Sequence, residues 1–257
     1  GKMMNDRVEA YSPDRSLKGK LRRRLVRAVA RRPARMRLDR PMLSFSFDDP
    51  TASACRVGAE LLTAHGLRGT YFVATSLADR EGPMGRYASR DEIAALADHG
   101  HEIACHTFSH LDCGQATAAT IGDDVERNAR QLNAWGLPPP VSFAYPFGDV
   151  SSAAKQVLGY RFGLLRALHR GVLHDGGDLN QVPAVGIEGA DGEQRALNWL
   201  RRAAAGRGWL FLYTHDVAAT PSPWGCTPSA LQRLIEAACA AGFEIVTVAD
   251  GLRRVST

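Results

Sequence analysis

The sequence predicts an α/β fold, a distorted (β/α) barrel with about seven parallel strands. Three observations lead there. Strand-like and helix-like segments alternate from Arg40 onward. Seven or eight such β/α units suggest parallel strands covered by helices. No Gly-x-Gly-x-x-Gly follows the first of them, which turns the reading away from an open dinucleotide-binding sheet.

"MLSFSF" (residues 42–47) reads as the first strand. "SACRVGAELLTAHG" reads as a helix stopped by Gly66. "GTYFVA" is the second strand. "SRDEIAALADHG" opens with a capping box, Ser89 and Glu92, and closes at Gly100. "HEIAC" is the third strand, and a long helix over residues 118–135 ends at Gly136 and three prolines. "VSFAYP" is the fourth strand, "SSAAKQVLG" a short helix, and "RFGLLRA" and "QVPAVGI" two more strand candidates. Asp191 is placed to cap a helix through Ala205. "WLFLYT" is a strand, Thr227-Pro228 start a helix through Ala241, and "EIVTV" is the final strand.

Composition sets the outer bounds. With 257 residues, 45% hydrophobic and 23% charged, the chain has ample material for a globular core. The five cysteines are odd in number and lack a Cys-x-x-Cys. A disulfide framework is not expected, and a reducing, cytoplasmic setting is. No apolar run approaches the roughly 18 residues of a membrane span, and no signal peptide is visible. Charge is uneven: residues 1–40 hold 14 Lys/Arg and 4 Asp/Glu, a net of +10, while residues 41–257 net −5. The chain therefore divides into a basic, partly helical arm (1–40) and a folded barrel (41–257).

Four titratable clusters stand at strand C-termini, where barrels gather their chemistry. Asp48 and Asp49 follow the first strand, His106 and His110 ("HTFSH") the third, "AYPFGD" closes the fourth, and "THD" ends "WLFLYT". Asp-Asp-Pro is also a good turn starter. A lone histidine is more often structural than a ligand. Convergence of four clusters on one rim is what favours chemistry. His-x-x-x-His puts two imidazoles within reach of one ion. With one carboxylate they make a site that leaves positions open for water and substrate. The second carboxylate is then available as a base.

"SFDD", "HTFSH", "FAYPFG" and "LYTH", in this order and spacing, resemble the motifs of the polysaccharide deacetylase family. These are metal-dependent carbohydrate esterases on a distorted (β/α) barrel. The resemblance runs from about Pro41 to Arg253. It implies Asp48 as general base and Asp49, His106 and His110 as the metal triad, usually for zinc, with cobalt or nickel as substitutes. It implies His215 as the general acid. The Phe147 amide is expected at the oxyanion, with Tyr145, Pro146 and Gly148 shaping that loop and Leu212 lining the acetyl pocket. Three departures stand out. Ala144 replaces an arginine that orients the base, so another residue must hold Asp48, with Arg166 as the candidate. Leu111 replaces a proline. The acidic partner of the catalytic histidine has no clear motif, and Asp178 is its candidate.

Trp224, in "PSPWGCTP", is read either as a sugar-stacking residue on a covering loop or as part of a rigid connection. Cys105 and Cys113 flank the histidines and read as buried thiols rather than ligands. His65, His99, His101, His169 and His174 have no motif and read as structural. In the arm, Leu17, Leu21, Leu25 and Ala28 or Val29 recur at helical spacing, with Lys18, Arg22, Arg23, Arg27 and Arg31 filling the other side. That pattern fits an anionic membrane surface or a helix packed on the barrel. Nucleic acid is not expected, because no aromatics are interleaved with the basic residues of the helical stretch 16–36 for base stacking.

The expected function is a metal-dependent hydrolase that removes an N-acetyl group from an amino sugar. The substrate is expected to be a nucleotide- or lipid-linked precursor of a cell-surface glycan such as lipopolysaccharide, handled in the cytoplasm or at the inner membrane face. The alternatives are a same-fold hydrolase of another amide, such as a formamide or ring amide, and a silent metal- or glycan-binding module.

Overall fold

The computed structural model describes residues 16–256, so the first part of the expected arm lies outside the described residues. Helix α1 (Leu17–Val26) opens the described chain, with the Ser16 hydroxyl accepting from the Gly19 amide. The strands of the main sheet are β1 (Met42–Asp48), β2 (Thr70–Val73), β3 (Glu102–Cys105), β4 (Ser142–Ala144), β5 (Leu164–Arg166), β6 (Val185–Gly186), β7 (Trp209–Thr214) and β8 (Glu244–Ile245). Between them run α2 (Ala59–Ala64), α3 (Arg90–Asp98), α4 (Ala118–Ala134), α5 (Ser152–Gly159), α6 (Gly192–Gly206) and α7 (Pro228–Ala240).

Seven strands pair in parallel in the order β5-β4-β3-β2-β1-β7-β6. The sheet curls into the distorted barrel that the sequence predicts. Its open side is narrowed by a single parallel bridge from Arg166 to Val182, three residues before β6. The distortion has a second source in β8. This strand pairs with Met42 and Leu43 at the bottom of β1, while β2 pairs only with the top half of β1, from Ser46.

Alternation along the two central strands sets which side chains face the site. Met42 on β1 and Phe211 and Tyr213 on β7 share the interior cluster with Phe72, Ala104 and Ala144. Leu43, Phe45, Phe47, Leu210 and Leu212 belong to the outer layer with Leu231, Leu234 and Ile235 of α7. Each fully buried leucine or phenylalanine of that layer contributes about 1.5–3 kcal/mol. The period of two therefore places Asp48, in phase with Met42, at the inner top of the barrel.

The capping box at Ser89 and Glu92 forms in full, and Thr227 caps α7 through the Ala230 amide. Three expectations change. The helix after β1 begins as a π-type turn (Ala54–Gly58), and only then becomes α2. Asp191 precedes α6 without a side-chain cap bond. "EIVTV" yields only the short β8, because Thr247 caps a following helical turn through the Asp250 amide.

Candidate active site

Asp48 is the last residue of β1 and Arg166 the last of β5. Both are buried. The guanidinium grips the carboxylate with two N–H groups, Nη1 to Oδ1 at 2.6 Å and Nη2 to Oδ2. Arg166 also lies between the Phe72 and Tyr213 rings, at 4.9 and 5.0 Å from their centroids. Burial pushes the Asp48 carboxyl up. The Arg166 charge and hydrogen bonds, with His106 and His215 nearby, outweigh it and hold the group below the usual carboxylate range. A charged, oriented carboxylate is what a general base requires.

Beside it, Asp49 Oδ2 lies 2.9 Å from His110 Nε2 and 3.6 Å from His106 Nε2. One ligand atom from each residue falls within 4.8 Å of the others. His106 Nδ1 donates to the Ala144 carbonyl at 2.6 Å, which leaves its Nε2 lone pair facing inward. Asp49 Oδ1 is buried without a hydrogen-bond partner. Two imidazole nitrogens and an orphaned carboxylate oxygen fit a divalent transition metal, zinc among them.

The backbone is bent to make this cluster. Asp49, Thr107, His110 and Phe147 all have left-handed φ angles, between 44° and 62°. Such conformations cost about 1–3 kcal/mol each and gather at functional sites. The loop from His106 to His110 is held by Asp124, which accepts from the Phe108 and Ser109 amides at 2.9 Å each. The Thr107 hydroxyl accepts from the Leu111 amide at 2.8 Å. Phe147 presses its ring edgewise on His110, 4.4 Å between centroids. Tyr145 anchors the same turn by donating to the Asn180 carbonyl at 2.8 Å. Pro146 is buried, and Gly148 passes so close to Leu168 that a Cβ would meet it at 2.7 Å.

His215 follows β7 on the same rim. Its Nδ1 donates to the Trp224 carbonyl at 3.2 Å, so Nε2 is the nitrogen left to carry a transferable proton. Asp216 fixes the loop that supplies that carbonyl, accepting from the Ser222 amide at 2.7 Å and hydroxyl at 2.6 Å.

The order of these motifs and the barrel that carries them decide the family. A family model described as polysaccharide deacetylase matches residues 35–162. The chain belongs to the polysaccharide deacetylase family. No curated protein matches it by sequence. Among solved structures it is similar to the chitin deacetylase from the fungal pathogen Colletotrichum lindemuthianum, at 15% identity, 84% of this chain, 89% of that chain and a TM-score of 0.62. It is also similar to the Xyl-CE4 domain of a multidomain xylanase from the hindgut metagenome of Trinervitermes trinervoides, at 18% identity, 84% and 91% coverage and a TM-score of 0.61. A CE4 family pseudoenzyme from Bacillus anthracis matches at 14% identity, 84% and 66% coverage and a TM-score of 0.58. At these identities the likeness is one of fold.

In this member of the family, the structure brings Asp48, Asp49, His106, His110, Phe147 and His215 to one rim, and three expected positions fall elsewhere. Leu212 lies in the outer layer against the helices. The β7 side chain that faces the site is Tyr213, which is hydrogen-bonded to Glu188. Asp178 pairs with Lys155 at 2.7 Å and accepts from the Arg32 and Asn180 amides, away from His215. Trp224 reaches the site through its carbonyl. Besides Asp48, an acidic residue near His215 is Glu188, two residues beyond β6. Burial pushes it up, against the pull of His215 and Arg195. Its place just after the candidate strand "QVPAVGI" was the available signal. Cys105 accepts from Asn128 Nδ2 at 3.3 Å, and burial pushes its thiol up to about 11. That is the behaviour of a structural thiol.

Proposed function

We propose that this chain hydrolyses the N-acetyl group of an amino sugar, with residues 41–257 as the catalytic barrel and a divalent metal, zinc foremost, as cofactor. The observation that carries the reading is the Arg166–Asp48 pair standing beside the Asp49, His106 and His110 cluster. A metal held by that cluster would supply Lewis acidity toward the amide carbonyl and the attacking water. Asp48 takes a proton from the water as its oxygen bonds to the carbonyl carbon. The Phe147 amide donates to the oxygen that becomes negative. Protonated His215 then gives its Nε2 proton to the nitrogen as the C–N bond breaks, releasing acetate and the free amine. The Trp224 carbonyl keeps the ring in the tautomer this needs.

Ala144 is the feature that suggests a silent binding module; Arg166, which holds Asp48 from the neighbouring strand, supports the active reading instead. The substrate we favour is a nucleotide- or lipid-linked precursor of a surface glycan, met in the cytoplasm or at the inner membrane face through the basic arm. No described helix is long and apolar enough to cross a membrane. Mass spectrometry of acetamido sugars incubated with the zinc-loaded protein tests the activity. Loss of an acetyl mass is expected. Loss of a formyl mass from a formamido analogue alone would redirect the reading to a deformylase.

A further inference from the structure

Helix α1 is seated on the barrel in an unusual way. Its buried residues are Gly19 and Val26, the latter in one cluster with Cys113, Tyr145 and Val150. Arg22 bonds Asp149 at 3.2 Å and the Gly114 carbonyl at 3.3 Å. The buried Lys155 donates to the Val26 carbonyl at 2.9 Å. So seated, the helix turns its apolar stripe outward. Leu17 is 84% exposed, Leu21 58%, Leu25 60% and Val29 42%. A helix that merely covered the barrel would bury that stripe.

A second stripe carries the charge. Lys20, Arg23, Arg24 and Arg27 recur at i, i+3, i+4 and i+7, which is one helical face. All four line an open cleft of about 670 Å³ between α1 and the catalytic loop. Its far end is Phe147 and Gly148, and Phe147 is the ring that rests on His110. None of the four cations has a carboxylate within ion-pair distance among the described residues. The polar residues on the opposite wall, His169 and Gln181, bring no negative charge. Like charges four residues apart repel, so an anion in the cleft would relieve the cluster.

We propose that α1 is a wall of the substrate cleft and that Lys20, Arg23, Arg24 and Arg27 bind the phosphoryl group joining the amino sugar to a lipid carrier. This rests on the deacetylase reading and names its substrate class. The four cations span residues 20–27, a rise of about 10 Å along α1 and its C-cap, enough for one or two phosphoryl groups. The choice of lipid comes from the rest of the lining. Leu17 and Leu21 belong both to the cleft and to the exposed stripe, and Leu168 faces them. Phe147 is the one Phe, Tyr or Trp among the lining residues, and its ring is already engaged, so a nucleotide base has little to stack on.

The test uses the full, zinc-loaded chain and one sugar in four forms: the methyl glycoside, the isoprenyl diphosphate, the nucleoside diphosphate and the 1-phosphate of N-acetylglucosamine. The isoprenyl diphosphate is expected to exceed the glycoside in kcat/KM at least tenfold. In the Arg23→Gln, Arg24→Gln double variant that preference falls at least tenfold. In Lys18→Gln, outside the cleft, it stays. Equal kcat/KM for glycoside and diphosphate, or equal loss on both in the double variant, overturns the phosphoryl site. A nucleoside diphosphate sugar turned over as well as the isoprenyl one overturns the lipid assignment. If the variant loses only binding to anionic vesicles and keeps its preference, the cations serve bilayer headgroups and the proposal fails. Calorimetric titration with geranyl diphosphate separates this from failure of the deacetylase reading. Binding by the wild type and not by the variant supports the cleft even without turnover, and absence of binding overturns it.

Discussion

Arg166 closes on Asp48 across the top of the barrel, from a strand 118 residues further along the chain. The family position that would supply such a cation is Ala144, and its carbonyl instead orients His106. The two tasks at that rim, holding the proposed base and holding a proposed metal ligand, are thus divided between adjacent strands β4 and β5.

Removing Arg166 should therefore act on the base before it acts on the metal. In Arg166→Met the buried Asp48 loses its partner, its pKa rises, and the acid limb of kcat/KM moves to higher pH. Breaking a buried pair on one side costs about 3–5 kcal/mol, so the melting temperature should fall as well. Arg166→Lys keeps the charge and loses the fork, and should recover stability more than turnover. A pH–rate profile of the three proteins checks this. An unmoved acid limb in Arg166→Met would remove the link between Arg166 and the base.

The loop after His215 should matter through its shape. Asp216→Ala frees Ser222 and loosens the Trp224 carbonyl that orients the imidazole. We expect kcat to fall by about 10- to 100-fold, the size of a small misplacement of a catalytic group. Zinc affinity should stay close to wild type, as measured by metal titration. A Trp224→Phe variant keeps the carbonyl, so loss of activity there would report on the side chain and support a sugar-stacking role.

His101 gives a prediction about the fold under acid. It is buried at the start of β3, and its Nδ1 accepts from the Gly69 amide at 3.0 Å. Burial, with Arg68 and His99 nearby, pushes it down from 6.5 to about 4. The unfolded chain therefore binds a proton more readily between pH 4 and 6.5. Stability is full above 6.5 and falls as pH drops through that window, by up to about 3 kcal/mol at ~1.4 kcal/mol per pH unit. His101→Asn keeps an acceptor and should flatten the loss. Urea unfolding at pH 7.5 and 5 compares the two. An equal drop in both proteins would assign the acid sensitivity elsewhere.

Much of this was legible in the chain, and the failures have physical causes. Asp48, Asp49, His106, His110 and His215 sit at or within a few residues of the C-terminal ends of strands that announce themselves by apolar runs. The phase of β7 was not legible. "WLFLYT" is buried on both faces, so no alternation distinguishes Leu212 from Tyr213, and the family resemblance assigns to the acetyl pocket a leucine that packs in the outer layer. Arg166 could only be a candidate, because the contact between β1 and β5 exists only once the sheet has curled. Asp124 and Asn128 look like solvent-facing helix residues. They prove to be the supports of the histidine loop and of Cys105. The outward stripe of α1 could not be read either, since a helical pattern says which residues share a face and not what that face meets.

The paired aspartates carry the central claim, and one measurement on their variants tests it most directly. Zinc titration and acetyl release are followed together for wild type, Asp48→Asn and Asp49→Asn. Asp48→Asn should keep zinc affinity within a few-fold and lose about 10²–10⁴ in turnover, the usual contribution of a general base. Asp49→Asn should lose both, because it removes a charged ligand from the cluster with His106 and His110. Near-wild-type turnover by Asp48→Asn at saturating zinc, or undiminished zinc binding by Asp49→Asn, would contradict the division of base and ligand between these neighbours.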